Sequence, residues 1–416
     1  MAKKKILIIS YYYPPSNCIA GLRPQSFANY LSDYYEIKVI TRQWDGTEKQ
    51  WKDYLKSNKA EKKIIQQNDN LEITYVPYTD ARKKKNKLRT LFDLVKGKLD
   101  YDYDCNQLKS TAVDIVETWG PELLLVSLPP NNLINLAYSL NKKYKLPYIV
   151  DFRDFENEVL LNNQTVSLKS KFIHFFTHKN ILKKVKNSIL VVTINSVFYD
   201  YIKDKGHTKV LKIYNGYENS IFYNFKNRIK NKHLTLSITG TIYPQQEIST
   251  ILNGFDQFLD KNLESRIIIN FMGIETFDSV PKFIKNNYRN PKINIIAKQP
   301  RDEAINLLEN SDILFYMGWK GYKGVYSGKI FEYLGAKRNI LIAPSDEDVI
   351  EELLRETNGG EVANTPEEVC AYLERKYAEW KAKGYIDYHG NDEKIAFYSR
   401  ENQASILQKE IEKILF

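Results

Sequence analysis

Short apolar runs recur along this chain with turn and helix patterns between them, and that alternation constrains the fold more than any other feature. The first set lies at 6–10, 36–41, 71–76, 123–127, 148–151 and 189–194. Strands of a parallel sheet covered by helices look like this, because neither face meets solvent and the runs stay continuous. A second set, 234–239, 266–272, 293–297, 312–317 and 339–344, begins after a charged, turn-rich stretch at 217–233. Two α/β halves are therefore expected, each a doubly wound parallel sheet. Length agrees, since 416 residues exceed what one core serves and units of roughly 150–200 residues are the usual solution.

The opening is strand, turn, helix: a run at 6–10, a Pro/Gly loop at 11–23, and a helical pattern at 24–32 that leads into the strand at 36–41. At the other end, Ile406, Leu407, Ile411 and Ile414 fall near helical spacing within 400–416. They predict an amphipathic terminal helix.

Composition narrows the classes. With 43% hydrophobic and 27% charged residues, the chain has a globular balance, and no apolar run approaches the ~20 residues that cross a bilayer. Ile6–Ile9 behind Met1-Ala-Lys-Lys-Lys gives way at once to Tyr11-Tyr-Tyr-Pro-Pro, far short of the ~7–15-residue core of a signal peptide. A cytoplasmic protein is expected. Cys18, Cys105 and Cys370 have no paired spacing, which predicts plain thiols rather than a disulfide framework or a zinc site. The net charge of +10 suits an anionic substrate, an anionic membrane or nucleic acid. Richness in Lys, Asn, Ile and Tyr, the signature of an AT-biased genome, is an equally simple source of that charge.

No Gly-x-Gly-x-x-Gly and no Gly-x-x-x-x-Gly-Lys-Ser/Thr occurs, so nicotinamide and P-loop chemistry are not expected. A different phosphate grip stands out at 326–341, Tyr-Ser-Gly-Lys-Ile-Phe-Glu-Tyr-Leu-Gly-Ala-Lys-Arg-Asn-Ile-Leu. With strands before and after it, 327–336 should be a crossover helix starting near Gly328. Such helix starts offer unpaired N–H groups and partial positive charge at the carboxyl ends of the strands, where ligands sit. Gly328 lets the backbone come close, Lys329 adds a full charge, and Glu332, one turn deeper on the same face, accepts two hydroxyl hydrogens of a ribose. By spacing alone, Lys329 and Glu332 also fit a surface ion pair worth a few tenths of a kcal/mol.

The stretch 327–342 resembles the nucleotide-sugar motif of the family-4 glycosyltransferases, enzymes of the GT-B fold. Further matches lie in the expected order: Tyr12-Tyr-Pro-Pro with Gly21-Leu-Arg23, Asp151-Phe-Arg-Asp154, Tyr214-Asn-Gly-Tyr, Thr239-Gly-Thr-Ile-Tyr, and Tyr398-Ser-Arg with Gln403. The resemblance implies two Rossmann-like doubly wound domains facing a cleft, with the C-terminal helix crossing back toward the N-domain. The expected parts are an acceptor-side domain at 1–216, a linker at 217–233, a nucleotide-sugar domain at 234–390 and the returning helix at 391–416. It implies retaining, metal-independent transfer of a hexose or related sugar from a nucleoside-diphosphate sugar, UDP-linked, to a glycan or lipid-linked acceptor in bacterial surface polysaccharide or glycolipid synthesis. No separate cofactor is implied. By position, Glu332 would hold the ribose and Gly328 and Lys329 the diphosphate, with Ile330 also on the donor side and Gly240 and Thr241 close to the phosphates or sugar. Gly21, Arg23 and Asn131 would face the acceptor, Asn215-Gly216 would shape the hinge, and Lys329, Asp151, Arg153 and Asp154 would serve catalysis.

The chain also departs from the family. Where many relatives carry a first glutamate seven residues ahead of the second, this sequence has Gly324. Tyr243-Pro-Gln-Gln supplies none of the cations that often follow the first C-domain glycine, so the diphosphate charge would fall to Lys329 with Lys320, Lys323 or Arg301.

Other features admit two readings. Asp151, Arg153 and Asp154, at a strand end, would position the acceptor or steady the developing positive charge, or would form a structural Arg–Asp pair. Asp102-Tyr-Asp104 imitates a metal-binding pair but follows a basic helix, and His174 and His178 lack an acidic partner. A metal site is not expected. Basic helices with apolar stripes at 81–100 and 169–186 would lie on anionic lipid, at the inner face of the cell membrane, or would pack on their own domain. Two alternatives to the transferase are an epimerase or hydrolase on the same scaffold and a non-catalytic basic protein holding nucleic acid. Against the first, no general acid–base pair is evident; against the second, no aromatic RNA-binding motif is present.

Overall fold

The computed structural model describes residues 2–16, 18–44, 46, 61–78, 105–153, 179–207, 209–223, 225 and 230–416. The chain divides into two compact units, Met1–Tyr214 with Gln403–Phe416, and Asn215–Asn402. Asp102, Asp104, Asp154, His174, His178 and the basic stretch 81–100 lie outside the described residues.

The first unit holds β1 (Lys5–Ser10), β2 (Glu36–Arg42), β3 (Lys63–Asn68), β4 (Leu71–Val76), β5 (Leu123–Leu128), β6 (Tyr148–Phe152), β7 (Leu190–Thr193) and β8 (Val210–Lys212). They form one sheet in the order β3-β4-β2-β1-β5-β6-β7-β8, parallel throughout except for the antiparallel pair β3–β4. Strand β1 shows why the runs are continuous. Leu7 and Ile9 join the core beneath the helices Asn106–Trp119 and Leu133–Tyr144, whereas Ile6 and Ile8 face the helices Leu22–Leu31 and Arg400–Leu415.

The terminal helix Arg400–Leu415 thus belongs to the first sheet, although the chain left that unit at Tyr214. Leu407 and Ile411 are fully buried against it, with Ile406 and Ile414 at the margin. Burial of each such side chain stabilises by about 1.5–3 kcal/mol. Gln403 Oε1 accepts the Tyr214 N–H at 2.8 Å, fastening the point of return to the point of departure. Of the second basic stretch, 179–185 is helical, and Ile181 and Val185 are buried in the first unit's core. This portion of its apolar stripe is covered by its own domain.

The second unit holds β9 (Leu234–Thr239), β10 (Ile267–Met272), β11 (Ile293–Ile296), β12 (Ile313–Tyr316), β13 (Asn339–Ile342) and β14 (Gly360–Val362), all parallel, in the order β11-β10-β9-β12-β13-β14. Numbered by appearance within the unit, the first strand sits beside the fourth. The order reverses between β9 and β12, and the connections before and after them depart to opposite sides, opening a crevice at the strands' carboxyl ends. Near the unit's start, Gly216 adopts φ +65°, and a Cβ there would stand 2.8 Å from the Tyr398 carbonyl oxygen. Only glycine lets 217 pair with 399 in their parallel bridge.

No helix among the described residues is long and apolar enough to cross a membrane.

Candidate functional site

The crevice at the β9/β12 reversal is built by three segments. The first is the loop leaving β9, Thr239-Gly240-Thr241. The second is the turn leaving β10, at Gly273. The third is the helix Gly328–Gly335, which follows β12. Ser327 caps that helix, its Oγ accepting the Lys329 N–H at 3.4 Å, and Ile330 N–H bonds Ser327 O at 3.2 Å. The Gly328 N–H has no hydrogen-bond partner among the described residues. A helix start with a bare N–H is an anion site in waiting.

Lys329 supplies the charge. Its Nζ donates to the Thr241 carbonyl oxygen at 2.9 Å and makes no ion pair with a carboxylate among the described residues. A Cβ placed on Gly240, which sits at φ +78°, would lie 3.9 Å from that ammonium. The absent side chain leaves the nitrogen approachable from the β9 loop. The lysine is half-buried over its whole length, yet its ammonium is enclosed enough that desolvation pulls its pKa down to about 8, opposed only by the field of Glu332. An enclosed cation with no carboxylate in ion-pair contact is a candidate for holding an anion.

The surface ion pair that spacing alone allows does not form. Glu332 is buried, and its Oε1 accepts from Arg301 Nη2 at 2.6 Å, with the two side chains 9% and 36% exposed. Its other oxygen, Oε2, has no hydrogen-bond partner among the described residues. Lys329 and Glu332 thus sit a turn apart on one helix face, each with capacity unused. Tyr333 lies beneath them: its hydroxyl accepts the Thr239 N–H at 3.1 Å and clamps the end of β9 to the helix. Burial pushes that phenol's pKa well above its ordinary value, so it stays neutral. Thr241 and Thr276 share a hydrogen bond of 2.9 Å between their hydroxyls, joining the β9 and β10 loops.

The remaining candidates are placed as follows. Ile330 is fully buried and offers only backbone. Lys323 donates to Glu347 O at 3.0 Å and lies 4.0 Å from Asp348, so it serves the loop after β13. Gly324, at φ +72°, donates its N–H to Asp348 at 2.5 Å.

In the first unit, Asp151 is 0% exposed and spends both oxygens inside the protein. Oδ1 accepts from Arg23 Nε at 2.9 Å and lies 2.9 Å from Arg23 Nη2 as an ion pair, and Oδ2 accepts from Ser127 Oγ at 2.8 Å. Arg23 also donates through Nη1 to the carbonyls of Ile213 and Tyr214 at 3.0 and 2.8 Å. Arg153 is spent on the carbonyls of Leu128, Pro129 and Ala20. These are braces between loops, closer to the structural Arg–Asp reading than to a reacting group. The partner is Arg23 rather than Arg153, however. Gly21 is buried against the Tyr13 backbone, where a Cβ would meet Tyr13 Cα at 3.0 Å. Asn131 does remain open: its Oδ1 is buried with no partner among the described residues, at the carboxyl end of β5.

Sequence reasoning missed Tyr333, Thr276 and Gly273. A signal existed for the last: Gly273 follows the β10 run as Gly240 follows the β9 run, and a Cβ on Gly273 would come 3.7 Å from Gly240 N. Two such glycines after neighbouring parallel strands mark loops that approach each other.

No protein-family model matches the sequence, and no curated protein matches it. Solved structures do. A sucrose-phosphate synthase from Thermosynechococcus elongatus aligns over 99% of each chain at 10% identity and TM-score 0.63. A glycosyltransferase from Rickettsia africae ESF-5 aligns over 100% of this chain and 99% of its own at 12% identity and TM-score 0.60. Anabaena HepE, solved with UDP and glucose, aligns over 99% of each chain at 11% identity and TM-score 0.58. At these identities the likeness is one of fold, and the fold of this chain is GT-B: two parallel-dominated α/β units matched over nearly their whole length.

Proposed function

We propose that the protein is a glycosyltransferase that moves a sugar, with retention, from a nucleoside-diphosphate sugar to a glycan or lipid-linked acceptor. A UDP-linked donor and a role in bacterial surface polysaccharide or glycolipid synthesis, at the cytoplasmic face of the membrane, complete the reading. One observation carries it: the Lys329 ammonium, bonded only to a carbonyl, stands beside Gly240 at the start of the helix after β12, with the Glu332 carboxylate one turn deeper. That spacing suits a diphosphate followed by a ribose. Solved structures of the same fold with UDP and glucose bound support the donor class.

In this reading the acceptor hydroxyl oxygen bonds the donor's anomeric carbon on the face from which the diphosphate leaves. The bond from that carbon to the phosphate oxygen breaks, and the hydroxyl proton passes to the departing phosphate. Lys329 and the Gly328 N–H meet the charge that develops there. Preorganised donors of this kind are worth about 10²–10³ in rate each. No metal is called for. The Asn131 amide, at the carboxyl end of β5, is the acceptor-side group with capacity to spare.

A thermal-shift panel of UDP-, GDP-, ADP- and dTDP-sugars tests the proposal. The right donor at 100 times its dissociation constant stabilises by about 2.7 kcal/mol, and product nucleotide should then be released in the presence of acceptor glycans. Silence across the whole panel would overturn the reading. Release of free sugar without acceptor would replace the transferase by a hydrolase.

A further inference from the structure

We propose that Arg301 is the second half of the hydroxyl-reading group, a ribose-binding residue rather than a phosphate cation. The inference rests on the nucleotide-sugar reading above and extends it. Arg301 opens the helix Arg301–Glu309 after β11, and its one hydrogen bond among the described residues runs from Nη2 to Glu332 Oε1 at 2.6 Å. Its remaining guanidinium N–H groups are unclaimed, and the side chain is 36% exposed. Glu332, by contrast, is almost wholly enclosed yet keeps Oε2 without a partner.

A buried carboxylate held by one arm of an arginine normally spends its second oxygen as well, since each unspent lone pair forfeits solvation. Here the spare acceptor and the spare donors lie side by side. Two adjacent hydroxyls fit both: one donates to Oε2, and the oxygen of the other accepts from the guanidinium. A vicinal cis-diol, such as the 2′- and 3′-hydroxyls of a ribonucleoside, has that pattern; a 2′-deoxyribose has half of it. The pairing also fixes the Glu332 rotamer before the ligand arrives, which spares ordering entropy on binding. Phosphate binding, the role its charge suggests, suits Arg301 less well, because the guanidinium is anchored to a carboxylate whose field opposes an incoming anion.

The test is a comparison of each nucleoside diphosphate with its 2′-deoxy and its 3′-deoxy counterpart, titrated calorimetrically into the full chain. Wild type should prefer the ribo form over each by about tenfold or more, the scale of one hydrogen bond to a charged group. Arg301→Gln should bring the ratio toward one for the deoxy form that lacks the hydroxyl Arg301 reads, whose affinity stays nearly constant, and Arg301→Lys should restore part of it. Thermal melts of each variant confirm that it is folded. If Arg301→Gln weakens the ribo form and both deoxy forms equally, the residue serves the phosphates and the proposal falls. An unchanged ratio also sinks it. If no nucleoside diphosphate binds wild type at all, the nucleotide-sugar reading falls and takes this proposal with it.

Discussion

The two sheets both carry charged groups at the carboxyl ends of central strands, and they treat them in opposite ways. In the first unit, Asp151, Arg23 and Arg153 are 0%, 4% and 3% exposed, and the acid is spent on Arg23 and Ser127 while the arginines are spent on carbonyls as well. In the second unit, Lys329 leans on one carbonyl, and Glu332 leaves an oxygen idle. Charge at a strand end therefore does not mark a site by itself. A closed network holds loops together; an incomplete one is the candidate for taking a ligand.

The largest predicted effect tests the closed side. Asp151→Ala leaves Arg23 buried without its carboxylate, which should cost about 3–5 kcal/mol of stability, measured as a fall in the denaturation midpoint. If the protein stays as stable as wild type, the brace assignment is broken. On the open side, Lys329→Met should lower transfer about 10²–10³-fold without lowering the melting temperature, since the charge it removes is already disfavoured by burial. A parallel loss of stability would mean that the lysine is also a brace.

The pH dependence sharpens the contrast further. With a folded pKa of about 8, Lys329 is protonated at neutral pH and loses its proton as pH rises past that value. Anion affinity should then fall by up to about tenfold per pH unit above 8 in wild type, and stay flat in Lys329→Met. Stability has the opposite sign. The unfolded chain keeps this proton up to the ordinary value of 10.5, so between about 8 and 10.5 unfolding takes up a proton, and this residue's contribution to stability rises with pH. The smallest effect belongs to the clamp below the site. Tyr333→Phe removes the acceptor of the Thr239 N–H and should cost about 1–3 kcal/mol, loosening the β9 loop enough to raise the Michaelis constant for donor. Unchanged stability and donor affinity together would show that the Tyr333 hydroxyl has no structural part in the site.

How much of this was legible in the sequence follows the same divide between local and distant. The expected strands at 71–76 and 234–239 match β4 and β9 residue for residue, because fully buried parallel strands leave continuous apolar runs. Strands β3, β8 and β14 were not foreseen. They are edge strands, two of them only three residues long, and Lys63–Asn68 is exposed at every position but Ile65. The Gly328 helix was legible since its cap, glycine, lysine and glutamate are consecutive. The partners were not: Arg23 and Asp151 stand 128 residues apart, and Arg301 and Glu332 stand 31 apart. No spacing rule reaches across such separations. For that reason the sequence offers Arg301 only by its charge, as one of several cations that could meet the diphosphate.

The central claim is that an anion docks where Lys329 meets the start of its helix. Calorimetric titration of wild type and Lys329→Met with the best-binding nucleoside diphosphate, and with the same nucleoside lacking phosphates, tests it most directly. The account predicts that wild type binds the diphosphate far more tightly than the bare nucleoside and that Lys329→Met removes most of that difference. A Lys329→Met protein that holds the diphosphate as tightly as wild type would contradict it.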